Sequence, residues 1–121
     1  MTQLISMILE LQVNLYRVQN GMVSIPSSNI TCTYARERLQ ETITDFSHTQ
    51  FRLDHPNGVW YENLGRIPGT ASDYFQNSQI ILDLWKKSPK HNQILLSPME
   101  EMCIQTNGNN YVLNGKQDTD N

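Results

Sequence analysis

Apolar residues recur at helical spacing near the start of the chain, at Leu4, Ile8, Leu11, Leu15 and Val18. Such a spacing places side chains on one face of an α-helix. The following Asn20-Gly21 is a favourable C-terminal cap pair. The first third of the chain therefore opens with a predicted helix.

A second helix is predicted from a cap at Ser27, Ser28 or Asn29 to about Ile43. Its predicted inner side carries Cys32, Ala35, Leu39 and Thr42 or Ile43. Its charged residues are expected to lie mostly on the solvated face: Arg36, Glu37, Arg38 and Glu41.

The helical period breaks down between Asp45 and Gly58, where residues 54–58 give a strong turn signal, so a loop is expected to carry His48. The short aromatic run 59–64 lies between two glycines and predicts a strand on which Trp60, Glu62 and Leu64 share a face.

A third helix is predicted to start between residues 72 and 78 and to end near Lys87, because Pro89 opposes its continuation. One or two further helical turns are predicted over 91–96. Two strands at 102–106 and 111–113 flank Asn107-Gly108-Asn109-Asn110, which favours a hairpin. Residues 116–121 are expected to be a flexible tail.

This order of elements predicts an α+β domain, a three-layer α-β-α sandwich with a small antiparallel sheet. The 121 residues suit a single domain over 1–121. The net charge of -3 and the scattered cations make nucleic acid an unexpected partner. No apolar run is long enough for a membrane span. No secretory signal is visible, so an intracellular or assembly-borne location is favoured over secretion.

The chain has two cysteines, Cys32 and Cys103, which allow one disulfide or two separately buried thiols. A disulfide closing so long a loop would stabilise the fold by roughly 4 kcal/mol in the chain-entropy model. The residues themselves leave both alternatives open.

Several short motifs in register resemble the CAP superfamily, the cysteine-rich secretory, antigen 5 and pathogenesis-related proteins. They are Asn14-x-x-Arg17, Ala35-Arg36-Glu37, Ser47-His48, Glu62-Asn63-Leu64-Gly65, Trp85-x-x-Ser88-Pro89-x-His91-x-x-Ile94-Leu95 and the closing strand from Tyr111 to Gly115. The low cysteine count and Ser88 are similar to bacterial members, so a bacterial or phage-type variant is expected.

The resemblance implies a cleft in which His48, Glu62 and His91 converge. Such a set is able to bind zinc or another divalent cation, or to exchange protons as catalytic groups. A partly buried Glu62 is expected to have a raised pKa. Asn63, Ser88 and Trp85 are the ligand-binding neighbours that the motifs imply, and Ser88 is expected to cap the last helix and orient His91.

Eukaryotic members usually have a second glutamate where this chain has Ser88, which lowers the expectation of hydrolysis. The favoured function is binding of a cation or small ligand, or of a protein partner. The alternatives are a metal-assisted peptidase or esterase that uses the same cleft, and a structural subunit of a larger assembly with an idle cleft. Whether the chain is an enzyme stays open.

Other residues have simpler expected roles. His55, beside Pro56, is interpreted as a turn residue. Trp60, Tyr61 and Trp85 are interpreted as core residues more than as a sugar or lipid platform. Lys86, Lys87 and Lys90 are interpreted as a solvated helix end.

Overall fold

The computed structural model of the chain describes residues 2–56, 58–67 and 74–117. Within these ranges the chain order is α1 (Thr2–Gln19), α2 (Asn29–Thr44), α3 (Thr49–Asp54), β1 (Trp60–Arg66), α4 (Tyr74–Lys87), α5 (Pro89–Leu95), β2 (Glu101–Thr106) and β3 (Asn110–Lys116).

The three strands form one antiparallel sheet in the order β1-β3-β2. The predicted hairpin joins β2 to β3, and Gly108 adopts a positive φ of 100° in its turn. Helices α1 and α4 pack on one face of the sheet, where Leu9, Trp85 and Leu113 belong to the larger core cluster. Helix α2 covers the other face through Ala35 and Val112. The α+β fold with a small antiparallel sheet between helical layers is confirmed.

Helix α1 forms as predicted, but most of the residues that predict it lie on its outside. Leu11 and Leu15 are 70% and 59% exposed, whereas Ile5, Leu9 and Val13 on the opposite side are buried. These buried residues belong to the core cluster that α1 shares with α4 and the sheet. The helix therefore has two apolar faces.

The Asn14-x-x-Arg17 motif has a structural role. Asn14 forms two hydrogen bonds with the backbone of Ile25. Arg17, fully buried, donates to the carbonyl oxygens of Val23, Leu95 and Ser97. Together these bonds attach two segments to α1: the segment that follows α1 and the C-terminal end of α5.

Ser28 is the N-cap of α2, and its side chain accepts a hydrogen bond from the Thr31 backbone N–H in a capping box. The expectation that Arg38 belongs to a solvated face is wrong, since Arg38 is only 1% exposed. Ile43 is also outside the core, at 56% exposure. The buried positions are Thr31, Ala35, Arg38 and Thr42, which share one face at helical spacing.

Cys32 and Cys103 form a disulfide that links α2 to β2 across 71 residues of sequence. Cys103 lies opposite Asn114 in the β2–β3 pairing, and Asn114 lies opposite Glu62 in the β1–β3 pairing. The disulfide therefore fastens α2 to the same row of the sheet that carries Glu62.

Two sequence-based boundaries need correction. The segment expected to be a loop around His48 contains the short helix α3, and His48 stands at its N-terminal cap position. Lys116 ends β3 and Gln117 donates its backbone N–H to the Val59 carbonyl, so neither belongs to a flexible tail. The rest of the expected tail, 118–121, lies outside the described residues.

Strand β1 and α4 approach each other closely at Gly65. A Cβ at this position would lie 2.8 Å from Ile81 Cδ1. The approach lets the Trp85 indole N–H donate to the Leu64 carbonyl at 2.9 Å. A glycine after Glu62-Asn63-Leu64 thus keeps β1, and with it Glu62, seated against α4.

None of the helices in the described ranges has the length and apolarity to cross a membrane.

Replacing both cysteines, Cys32→Ala with Cys103→Ala, should lower the free energy of unfolding by about 4 kcal/mol, because the cross-link restricts the unfolded chain over a long loop. Urea denaturation measures the change. Wild-type protein under reducing conditions is the control and should lose a similar amount. A loss below about 1 kcal/mol in both samples would contradict the stabilising role.

Candidate functional site

The carboxylate of Glu62 is the centre of a buried polar network. Its side chain is 0% exposed and receives four hydrogen bonds, two on each oxygen. Arg38 donates Nε to Oε2 at 2.7 Å and Nη2 to Oε1 at 2.8 Å. Asn114 Nδ2 donates to Oε2 at 2.9 Å, and His48 Nδ1 contacts Oε1 at 2.9 Å. No carboxylate lone pair is left for a further ligand.

Each donor comes from a different element. Arg38 projects from the buried face of α2, Asn114 lies directly across from Glu62 on β3, and His48 begins α3. Arg38 is itself held further by Glu41 at 2.8 Å and by the Ser47 carbonyl at 2.8 Å. The Ser47 bond ties the segment before α3 to the same guanidinium.

The pKa of Glu62 is lowered, not raised as the sequence predicts. Burial alone raises the pKa, but the hydrogen bonds from Arg38, His48 and Asn114 and the Arg38 charge lower it by more. Glu62 is therefore an ionised, paired group at neutral pH. It does not have the properties of a general acid or of a base near neutrality.

The bond to Glu62 orients the His48 ring. An ionised carboxylate only accepts, so His48 Nδ1 carries the proton and Nε2 has a free lone pair when the ring is neutral. Nε2 has no hydrogen bond with any residue in the described part of the chain. The His48 side chain is 32% exposed, so this nitrogen is open to a ligand.

His91 is oriented by a different partner. Its Nδ1 lies 2.8 Å from the Ser88 hydroxyl. Ser88 is at the N-cap of α5, as predicted, but its side chain makes no capping bond with the backbone and contacts the imidazole instead. Asn63 Nδ2 donates to the His91 carbonyl at 3.0 Å. Burial lowers the pKa of His91, and the nearby His48 charge lowers it further.

A cavity of about 420 Å³ lies between α3, β1 and α5, and the structure brings His48, Glu62, Asn63 and His91 into its lining. The wall also has an aromatic and apolar part and two cationic side chains: Phe51, Trp60, Tyr61, Ile94, Arg52 and Lys90. Arg52 and Lys90 form no ion pair within the described ranges. Because Arg38 neutralises Glu62, the uncompensated charge of the lining is positive.

Two of the implied neighbours do not line this cavity. Trp85 is 1% exposed and belongs to the core, which agrees with the interpretation of this tryptophan as a core residue and not with a ligand contact. Ser88 is absent from the lining and acts through His91. Trp60 and Tyr61, in contrast, border the cavity. His55 stacks on Trp60 with ring centroids 4.2 Å apart, so it supports that wall.

The residues do not fit a three-ligand metal centre. No group of three or more His, Cys, Asp or Glu side chains in the described ranges is placed to hold a metal ion. Both oxygens of Glu62 are already occupied by donors, and a cation on them would have to displace the Arg38 guanidinium. The roles of His48, Glu62 and His91 as ligands or catalytic groups stay predictions.

Sequence reasoning missed Arg38, Asn114 and Arg52. Arg38 carried a signal, since it falls on the same helical stripe as Thr31, Ala35 and Thr42. Asn114 carried none, because its partner depends on the register of β1 with β3. Arg52 became a site residue only when the expected loop formed α3.

A solved structure, a cysteine-rich secretory protein from Staphylococcus aureus, has a similar fold. The TM-score is 0.78 and the identity 18% over 98% of this chain, which spans 40% of that protein's length. No family model and no curated protein sequence matches the chain. The CAP-like fold that the motifs predict is thus supported by structural similarity, whereas a bacterial or phage origin stays a prediction.

Glu62→Gln should lower the free energy of unfolding by about 3 to 5 kcal/mol, because it leaves the Arg38 guanidinium buried without its counter-charge. Urea denaturation at pH 7 measures this loss. The matched control is Glu41→Gln, which removes the more exposed partner of the same guanidinium and should cost about 1 kcal/mol or less. Equal losses in the two variants would contradict the central place of Glu62.

The ion pair between Arg38 and Glu62 should make the free energy of unfolding depend on pH. Because the pKa of Glu62 is lower in the folded than in the unfolded state, its contribution is fully present above the ordinary value of 4.5 and is lost as the pH falls below it. Wild-type stability should therefore fall through this acid range, and Glu62→Gln should fall less steeply. Parallel curves in urea denaturation would contradict the lowered pKa.

His48→Gln should raise the pKa of His91, because it removes a nearby positive charge, while burial should keep that pKa below the ordinary 6.5. An NMR titration of the imidazole C–H signals measures it. His55, whose lowered pKa does not depend on His48, is the internal control and should not move. An unchanged His91 pKa would show that the two rings are not electrostatic neighbours.

Proposed function

We propose that this CAP-like domain binds a small anionic ligand in the cavity between α3, β1 and α5, and that its role is binding more than turnover. The observation that carries the proposal is the charge of the cavity lining, where Glu62 is paired with Arg38 while Arg52 and Lys90 have no ion-pair partner in the described ranges. The cavity volume of about 420 Å³ suits a small molecule.

The charges support an anion. Arg52 and Lys90 are exposed cations on the lining, and neither has an acidic partner in the described ranges. The carboxylate of Glu62, which is on the lining, is neutralised by Arg38. A bound carboxylate or phosphate would meet two cations. It would also accept a hydrogen bond from His91 Nε2 in the tautomer in which the Ser88 hydroxyl donates to Nδ1.

The opposite part of the lining supports an apolar or ring-shaped portion of the ligand. Phe51, Trp60, Tyr61 and Ile94 supply aromatic and aliphatic surface. The stacking of His55 on Trp60 holds this wall in place without any ligand. A preformed wall lowers the entropy cost of binding.

A divalent cation would have to be coordinated by the two imidazoles alone, with solvent or ligand as its other ligands. The oxygens of Glu62 already accept hydrogen bonds from Arg38 and Asn114. A hydrolase would need Glu62 as its base or third ligand, and the lowered pKa and buried position give no support for that role. We therefore rank both alternatives below anion binding.

The disulfide bears on where the domain works. Structural disulfides persist in oxidising surroundings and are rare in the cytosol. The Cys32–Cys103 bond supports a proposal that the domain functions in an oxidising compartment. This revises the intracellular location favoured from sequence.

Benzoate should bind this cavity more tightly than benzamide or benzylamine, which have similar shapes but no negative charge. NMR titration should show benzoate shifting the signals of His48, His91 and Trp60. Arg52→Gln with Lys90→Gln should weaken benzoate binding about tenfold or more, since each charge-assisted hydrogen bond contributes about 1.5 to 3 kcal/mol.

Lys87→Gln is the matched control, because it removes an exposed lysine at the end of α4, three residues before Lys90, that does not line the cavity. It should leave benzoate binding nearly unchanged. Equal affinity for the three probes, or loss of benzoate binding in both sets of variants, would reject the anion site. No binding of any probe would favour an idle cleft in a structural subunit.

A further inference from the structure

The outer face of α1 carries a row of exposed apolar side chains. Five residues, here called the α1 stripe, are between 44% and 70% exposed: Leu4, Met7, Leu11, Leu15 and Val18. A surface helix normally shows one apolar face, directed at its own core. Helix α1 already meets that need on its other side, through Ile5, Leu9 and Val13.

The stripe has the spacing of a helix-pairing seam. Its intervals run 3, 4, 4 and 3 residues, the pattern in which side chains of one helix fit between those of another. It extends about 21 Å along the axis at 1.5 Å per residue. The intervals read the same in both directions from Leu11, so two copies in antiparallel orientation present matching surfaces to each other.

The charges around the stripe also favour a second copy. Helix α1 has two charged residues, and neither lies on the outer face. Arg17 is fully buried, and Glu10 accepts a hydrogen bond from the Ile104 backbone N–H on β2. Two such faces meet without like-charge repulsion, whereas the basic residue of α1, Arg17, is buried and so is not available to attract an anionic membrane.

We propose that the α1 stripe is a self-association surface on which a second copy of this chain binds antiparallel, across a twofold axis near Leu11. A twofold axis makes the interface isologous, so one self-complementary patch suffices. One helix face is small beside the roughly 800 Å² per partner of a standard interface, so the dimer is weak and concentration-dependent.

Sedimentation velocity over a wide range of concentrations tests the association. The weight-average mass of the wild type should rise with concentration from 14.0 kDa toward twice that value. Leu11→Glu with Leu15→Glu should raise the dissociation constant about tenfold or more, since the interface then has to bury charge.

Leu53→Glu is the matched control. Leu53 is 71% exposed, as accessible as Leu11, but lies on α3 and outside the stripe. Leu53→Glu should associate as the wild type does, and circular dichroism should show native helix content in all variants. A wild type that stays monomeric at every concentration, or an equal effect of Leu53→Glu, overturns the proposal.

A cross-linking measurement tests the arrangement without adding charge. Both native cysteines are held in the Cys32–Cys103 disulfide, so a single introduced cysteine supplies the thiol that forms any cross-link between two copies. Oxidised Leu11→Cys should form a covalent dimer, because Leu11 lies beside the axis. Leu4→Cys should not, because antiparallel pairing places it at the far end from its own copy. Efficient cross-linking at Leu4 overturns the antiparallel dimer.

A vesicle measurement separates a lipid surface from a protein partner. Co-sedimentation with phosphatidylcholine vesicles should recover little wild-type protein, and equally little Leu11→Glu. Strong vesicle binding by a monomeric wild type that Leu11→Glu abolishes would assign the stripe to a membrane surface and overturn the dimer.

Discussion

The ion pair between Arg38 and Glu62 is the interaction on which the rest of the site depends. A carboxylate with no solvent exposure is tolerated only when its charge is compensated and its lone pairs are filled. Filling them requires α2, α3, β1 and β3 to meet at one point. The position of His48 is therefore a consequence of how this charge is satisfied.

Helix α2 is attached to both edge strands of the sheet along one row. The disulfide reaches Cys103 on β2, and Arg38 reaches Glu62 on β1, with Asn114 of β3 between them. Cys32 and Arg38 are six residues apart, about 9 Å along a helix, which is close to the two strand spacings that separate β1 from β2. A covalent link and a buried ion pair thus hold the same helix at two points.

In this arrangement the side chains that orient the two imidazoles differ from the atoms that the imidazoles leave unbonded at the cavity. Glu62 and Ser88 each hold the Nδ1 side of one imidazole, which leaves both Nε2 atoms unbonded within the described ranges. Arg52 and Lys90 at the lining have no ion-pair partner among the residues that the structure describes. A motif that predicts three equivalent ligands therefore contains two imidazoles on the cavity lining and one buried carboxylate that supports one of them.

Local patterns predicted the elements well, because helix spacing, proline and turn residues act within a few positions. The helices α1, α2 and α4, the strand β1 and the β2–β3 hairpin follow from such signals. Short α3 did not, since its apolar spacing covers barely more than one turn.

The same patterns were less informative about which face of an element is buried. The spacing of Leu4, Leu11 and Leu15 predicts a helix, but it does not show which face of that helix is buried. In the structure the buried face is the one that carries Leu9. Arg38 reads as a surface charge until its partner on β1 is known. By itself the sequence determined most of the helices and strands, because those preferences are local. Only the tertiary structure decided which charges pair and which apolar face stays outside, because both depend on residues brought together from distant parts of the chain.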